Sequence, residues 1–231
     1  GPLAKSVALC AAADQVMAAE PPRSVAPSPL SSLTFAVAES YLEGTEPAVL
    51  AAFGACLRAL ELAGAKIVKA ELDDLVLAMR TALAEGPIVP VEAAEIHAAH
   101  LATQREAFDP QVLARILQGL QVPAPRYVAS LNRRRELIAA LDARFQDGMV
   151  LAMPTTPMVA PRMETVLEPA DFQAINARIL RNPSFGNFFD LCALSLPMPS
   201  DGPPMGLMLL GRHGADAGLL SIARAVEIQL G

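Results

Sequence analysis

The sequence predicts an α/β fold: a β-sheet flanked by helices and interrupted by an all-helical insertion. Three observations carry that prediction. Residues 33–70 read as strand, helix, glycine, strand, which is a βαβ unit and favours parallel pairing with a right-handed crossover. The later runs 149–153, 194–197 and 205–210 are short and apolar, as in strands covered on both faces. Between these two regions, residues 72–145 contain no strand pattern.

The elements follow in order. Leu3, Val7, Cys10, Val16 and Met17 keep a helical period, so residues 3–19 read as an amphipathic helix stopped by Pro21-Pro22. Residues 21–32 hold four prolines and four serines and read as a loop. Leu33-Thr34-Phe35-Ala36-Val37 is the first strand. Thr45 is placed to cap the next helix, with Glu46 and Pro47 in its first turn and Val49, Leu50, Phe53, Leu57 and Leu60 on its apolar face. Gly64 ends that helix, and residues 65–70 return as a strand. The insertion reads as three or four helices broken near Gly86-Pro87, Asp109-Pro110 and Pro123-Ala124-Pro125, the last running over about 124–145. Asp147-Gly148 turns into the strand 149–153. A helix is expected over 171–181 and a separate short one from Asn182-Pro183-Ser184 to about Ala193. Strands at 194–197 and 205–211 and a helix from Asp216 to Gln229 complete a sheet of about five strands.

Composition narrows the function classes. The 231 residues are 53% hydrophobic and 18% charged, so there is more apolar surface to hide than in an ordinary domain of this length. The net charge of −6 gives no basic footprint for nucleic acid. The one dense basic run, Arg133-Arg134-Arg135, reads as a solvated helix face. Three cysteines, Cys10, Cys56 and Cys192, are too few and too scattered for a disulfide framework or a zinc knuckle, and the expected setting is a reducing cytoplasm. No uninterrupted apolar stretch is long enough to span a membrane, and no signal-peptide pattern opens the sequence.

The candidate chemical groups do not assemble into an active site on their own. A catalytic serine needs a base and oxyanion donors, yet no Gly-x-Ser-x-Gly elbow is present, and Ser31-Ser32 lies in a proline-rich loop. Lys5, Lys66 and Lys69 all read as solvent-facing. Glu92, Glu95, His97 and His100 share a helical stretch, but the spacing is not His-Glu-x-x-His and no third ligand is indicated, so a polar helix face is the expectation and no metal. Cys192 sits in an apolar context that suits a buried, inert thiol, and His213 reads as a loop histidine after a strand. What remains are the loops at C-terminal strand ends, 154–158 and 211–216, where α/β folds place their pockets.

Five motifs in order give a resemblance. Gly1-Pro2-Leu3-Ala4-Lys5-Ser6-Val7 resembles the Gly-Pro-(Leu/Met)-Ala-Arg-Ser-Val segment of amidase-signature enzymes. Residues 150–157 with Ala160-Pro161 resemble the family's apolar strand followed by Pro-Thr-x-Pro and Ala-Pro. Arg181-Asn182-Pro183 through Asn187, then Leu191 to Pro197, is similar to its late Arg-Asn-Thr and Gly-x-Pro-Ala-x-Ser-x-Pro stretch. Residues 202–211 resemble its Leu-Pro-x-Gly-Leu-x-Leu-x-Gly strand, and Asp216, Leu219, Leu220 and Glu227 its closing helix. Leu191-Cys192-Ala193 in place of Gly-x-Pro, and Pro199 in place of a glycine, depart from the pattern.

The resemblance implies that residues 1–231 are the C-terminal portion of a single amidase domain, a mixed β-sheet flanked by helices with the insertion at about 72–145. It implies hydrolysis of a carboxamide C–N bond by a serine nucleophile, a cis-peptide bridging serine and a lysine base, with backbone amides as oxyanion hole and no cofactor. In the family those groups precede the Gly-Pro-Leu-Ala segment, so no catalytic residue is carried over to this sequence. Lys5 is not the family's base, and the 231-residue chain alone is expected to be inactive. The substrate-binding residues expected here are Thr155, Thr156 and Pro157 after a strand, with Phe185 and Phe188 from a facing helix. The expected partners are a small-molecule amide and the N-terminal half of the same enzyme. A homo-oligomer is compatible with that reading, and neither nucleic acid nor membrane is expected. A component like the A-subunit of an amidotransferase and a non-catalytic α/β interaction domain are the alternative readings.

Overall fold

The computed structural model describes residues 1–21 and 23–231; Pro22, half of the diproline expected to stop the first helix, lies outside them. The chain divides into two compact units, one formed by residues 1–72 with 144–231 and one by Asp73–Ala143.

The first unit is built on a five-stranded mixed sheet. Its strands are β1 (Thr34–Val37), β2 (Lys66–Lys69), β3 (Met149–Pro154), β4 (Cys192–Met198) and β5 (Met205–Gly211), in the spatial order β2-β1-β3-β5-β4. β1 pairs in parallel with β2 and with β3, so that Phe35 lies opposite both Ile67 and Val150. β5 runs antiparallel to β3, with Ala152 opposite Leu209, and β4 runs antiparallel to β5, with Leu194 opposite Leu209. The crossover between β1 and β2 is α2 (Pro47–Leu62), ended by Gly64 at φ +97° as its place in the sequence predicts.

Alternation along the strands divides the apolar side chains between two faces. On one face Phe35, Val37, Val150, Ala152, Leu196, Leu207 and Leu209 are buried together with Val49, Phe53 and Leu60 of α2, Leu219, Ala223 and Val226 of α9 (Asp216–Leu230), and Val7 of α1 (Val7–Met17). α1 starts later than the periodicity suggests because the Ser6 hydroxyl caps it, accepting from the Leu9 amide at 3.3 Å. The opposite face carries Leu151, Met153, Met208 and Leu210, all buried. α8 (Pro169–Phe189) crosses it so closely that a Cβ on Gly186 would lie 3.0 Å from the Leu210 side chain.

Two local expectations are corrected. Thr45 does not cap α2. Glu46 holds the N-cap position in an extended conformation, because the residue before a proline is pushed out of the helical region and Pro47 takes the first helical place. The break expected at Asn182-Pro183 is also absent, since α8 runs through Pro183 to Phe189. Proline forfeits one helical hydrogen bond, but Asn182, Phe185, Phe188 and Phe189 are buried around it and keep the helix continuous. Asp190 stops α8 in the left-handed region at φ 57°, the Leu191 amide donates to the Gly186 carbonyl at 3.0 Å, and β4 begins at Cys192.

The second unit is wholly helical: α3 (Asp73–Glu85), α4 (Ile88–Ile96), α5 (Ala98–Thr103), α6 (Pro110–Gly119) and α7 (Ala124–Asp142). The proline-marked breaks fall where expected, and an added break at His97 separates α4 from α5. α7 ends at Asp142, short of Phe145. Asp109 caps α6 by accepting from the Gln111 and Val112 amides at 2.8 and 3.2 Å. Leu75, Val76, Met79, Ile116, Leu137 and Leu141 are among the unit's buried apolar residues, with Ala82 and Ala94.

Candidate active-site wall

The chemistry-bearing side chains of the first unit collect at the C-terminal ends of β1 and β3, which are neighbours and parallel. That is the end of a sheet at which loops diverge and leave room for a ligand. The turn after β1 spans residues 41–46 and the turn after β3 spans 155–159. They are joined directly: the Glu46 amide donates to the Pro157 carbonyl at 2.8 Å, and the Glu46 carboxylate accepts from the Val159 amide at 3.1 Å. Glu46 is free to do this because, placed before Pro47, it uses no side-chain bond to cap its own helix.

α8 holds both turns from the opposite face. The Asn182 side chain, fully buried, donates through Nδ2 to the Pro154 carbonyl at the end of β3, at 2.7 Å. The Arg181 guanidinium donates to the Tyr41 and Glu43 carbonyls at 2.7 and 2.6 Å, to Thr45 Oγ1 at 3.2 Å and to Asn182 Oδ1 at 3.0 Å. Arg178 reaches the Gly44 carbonyl at 3.2 Å and lies 3.7 Å from the Glu46 carboxylate. Beneath these contacts sits an aromatic cluster: Tyr41 meets Phe185 edge-on at 5.2 Å between centroids, with Phe189 at 4.6 Å from Phe185 and 5.1 Å from Phe188.

A second polar element lies beside the first. Thr155 extends β3 by one residue, its amide donating to the Gly206 carbonyl at 2.7 Å. Its hydroxyl lies 2.6 Å from the Ser195 hydroxyl of β4. Two hydroxyls bring two protons and four lone pairs, and their mutual bond uses one of each, so the pair keeps one donor and three acceptors for other groups. Ser195 is exposed and Thr155 half-buried, so those groups face open space. The Thr156 hydroxyl is spent inside its own turn, donating to the Met158 carbonyl at 2.8 Å.

The remaining candidates make other contacts. Cys192 donates to the Arg212 carbonyl at 3.1 Å, and burial, with a smaller effect of Asp216, pushes its thiol up and keeps it protonated. His213 is exposed, with Nδ1 at 3.3 Å from Asp190. His97 packs edge-on to Phe108 at 5.6 Å, with His100 at 6.3 Å. Among the described residues no group of three His, Cys, Asp or Glu side chains is placed to hold a metal ion, and no helix is long and apolar enough to cross a membrane.

The sequence model of the family described as Amidase matches residues 1–220. The chain belongs to the amidase family. Its sequence is 28% identical over 193 residues to 2-amino-5-chloromuconic acid deaminase of Comamonas testosteroni, a match covering 83% of this chain and 42% of that protein. It is also 28% identical over 270 residues to the A-subunit of glutamyl-tRNA(Gln) amidotransferase from Chloroflexus aggregans, covering 98% of this chain and 53% of that one. A crystal structure of an amidase superposes with a TM-score of 0.82 at 26% identity, over 100% of this chain and 52% of that one. The mixed sheet flanked by helices is that of the family, and the chain spans about half the length of these relatives.

Within this amidase-family chain the five residues named from sequence fall into two groups. Thr155, Thr156 and Pro157 lie together at the end of β3. Phe185 and Phe188 lie in the aromatic cluster on α8, 0% and 5% exposed, backing the turns. Sequence reasoning did not name Glu46, Arg181, Asn182, Ser195 or Gly206 as site residues. The signal for Arg181 and Asn182 was their place in an ordered family motif. For Glu46 the only signal was that the following proline bars it from the helix.

Proposed function

We propose that this chain supplies the C-terminal wall of an amidase that hydrolyses a carboxamide C–N bond, with the serine nucleophile contributed by upstream polypeptide. The observation that carries this reading is the family match over residues 1–220 in a chain about half as long as its relatives. In the reaction so read, a serine hydroxyl adds to the amide carbonyl, its proton passes to the departing amine as the C–N bond breaks, and water cleaves the acyl ester. The family resemblance assigns that serine, the bridging serine and the lysine base to sequence preceding Gly1. The residues of this chain act on the substrate's surroundings: the 155–157 turn and the paired hydroxyls of Thr155 and Ser195 line the side of the pocket. The three cysteines are free thiols, which supports a reducing, cytoplasmic setting.

The test is to assay a panel of small primary amides with the 231-residue chain and with the same chain joined to its encoded upstream polypeptide. The complete enzyme is expected to release ammonia and to lose that activity on reaction with a fluorophosphonate, while the 231-residue chain is silent. Serine-directed amide hydrolysis by the chain alone would overturn the proposal. The match to an amidotransferase A-subunit over 98% of this chain favours one second reading, in which ammonia is released only in company with partner proteins. Glutamine hydrolysis that emerges only when such partners are added would select it.

A further inference from the structure

We propose that Arg181 is a positioning residue for the amide pocket: it fixes the 41–46 turn, and through Glu46 that turn fixes the 155–159 turn, so the two walls move as one body. The role in catalysis rests on the reading of these strand ends as an amidase pocket; the mechanical coupling does not.

The argument starts from what a guanidinium can do. It is planar and offers five donors in a fixed fork, whereas an ammonium is a single point of attachment. Arg181 uses the fork to span a short stretch of chain: Nη2 holds Tyr41 O and Thr45 Oγ1, Nη1 holds Glu43 O, and Nε braces the fork against Asn182 Oδ1. Three residues of one turn are thus referred to a single rigid group. That group is carried by a helix anchored in the aromatic cluster and, through Asn182, to the end of β3. The turn then passes its position on. Glu46 grips the second turn by both its amide, at Pro157, and its carboxylate, at Val159.

The work done here is positional rather than cohesive. The carbonyls held by Arg181 at Glu43 and by Arg178 at Gly44 belong to exposed residues, where water can replace the arginine, and the carbonyl of the buried Tyr41 keeps the Thr45 hydroxyl as a donor at 3.4 Å. Removing Arg181 therefore slackens the turns more than it unfolds the sheet. For a pocket wall that matters, because a misplacement of about 1 Å can cost on the order of 10²-fold in rate.

Arg181→Ala, Arg181→Lys and Glu46→Ala decide the matter by two measurements. Amide hydrogen exchange in the 231-residue chain reads the coupling. R181A is expected to speed exchange at Glu46 and Val159 together, by about tenfold, while Leu209 in β5 stays protected. E46A is expected to speed Val159 and leave the Arg181 contacts to Tyr41 and Glu43 in place, because it cuts the chain of contacts further along. Steady-state kinetics in the complete enzyme reads the positioning. R181A should lower kcat/KM by about tenfold or more, with added guanidinium ion restoring part of it and R181K recovering less than half. If Glu46 and Val159 respond separately, or neither responds, the coupling is overturned. Joint loosening with kcat/KM unchanged overturns the positioning role and leaves the amidase reading standing. A complete wild-type enzyme that hydrolyses no amide overturns the amidase reading and the positioning role with it, and exchange alone then decides the coupling.

Discussion

A Cβ on Gly206 would lie 2.5 Å from the Thr155 hydroxyl oxygen and 2.6 Å from that of Ser195. Real Cβ atoms do not come so close to a heteroatom, so the hydroxyl pair can form only above a residue without a side chain. Gly206→Ala must push the two hydroxyls apart, and we expect a loss of about 1–3 kcal/mol, read as a shift in the urea midpoint at constant m. The cause can be isolated. In a Ser195→Ala background half of the collision is already gone, so the further cost of G206A should shrink, giving a non-zero coupling in the double-mutant cycle. Strict additivity would show that the hydroxyl pair has nothing to do with the glycine. At this scale the sequence showed only one side of the site. Thr155 follows an apolar strand and a proline, and that placed it at a strand end. Its partner Ser195 is 40 residues away on β4, and no local spacing encodes a meeting that depends on β5 lying between them.

Helix packing poses the same question one level up. Gly119 closes α6, and a Cβ there would fall 1.9 Å from the Pro90 carbonyl oxygen and 2.7 Å from the Val91 amide nitrogen of α4. Both are backbone atoms and cannot rotate away, so α4 and α6 must part. Gly119→Ala should destabilise the helical unit by about 3 kcal/mol, and limited proteolysis should then cut sooner within residues 73–143. Wild-type resistance there would mean that the helices have room to separate at little cost. Elements were more legible than contacts. Proline and glycine marked the breaks at Gly86-Pro87, Asp109-Pro110 and Pro123, because each acts through its own backbone. The same rule failed at Pro183, where α8 continues. A proline break is a local preference worth a few kcal/mol, and here the burial of Asn182 and three phenylalanines outweighs it. The failure at Thr45 is of another kind, since the cap moved by one residue once Pro47 constrained Glu46.

The sheet of the first unit has two edges, and they differ in a way that bears on what the chain is for. β2 is four residues long and carries Lys66 and Lys69, both exposed, a short charged edge of the sort that keeps strands from pairing with other molecules. β4 is seven residues long, Cys-Ala-Leu-Ser-Leu-Pro-Met, without a charge. Along it run grooves of about 300 and 430 Å³, lined by residues of the 1–7 segment, β4 and α9. Leu3, Leu9 and Ile228 nearby are 100%, 57% and 58% exposed. An uncharged edge of that length beside exposed apolar side chains fits the proposal that this sheet is continued by other polypeptide of a longer amidase. In isolation it should therefore associate. We expect the purified 231-residue chain to elute above its monomer mass at micromolar concentration and to enhance hydrophobic-dye fluorescence. Ala193→Lys, which puts a charge at an exposed position of β4, should lower both signals without lowering the melting temperature. The chain joined to its upstream polypeptide should show neither signal. A clean monomer that leaves the dye dark would mean that the β4 edge is already content with water, and the reading of this sheet as one part of a larger one would fail with it.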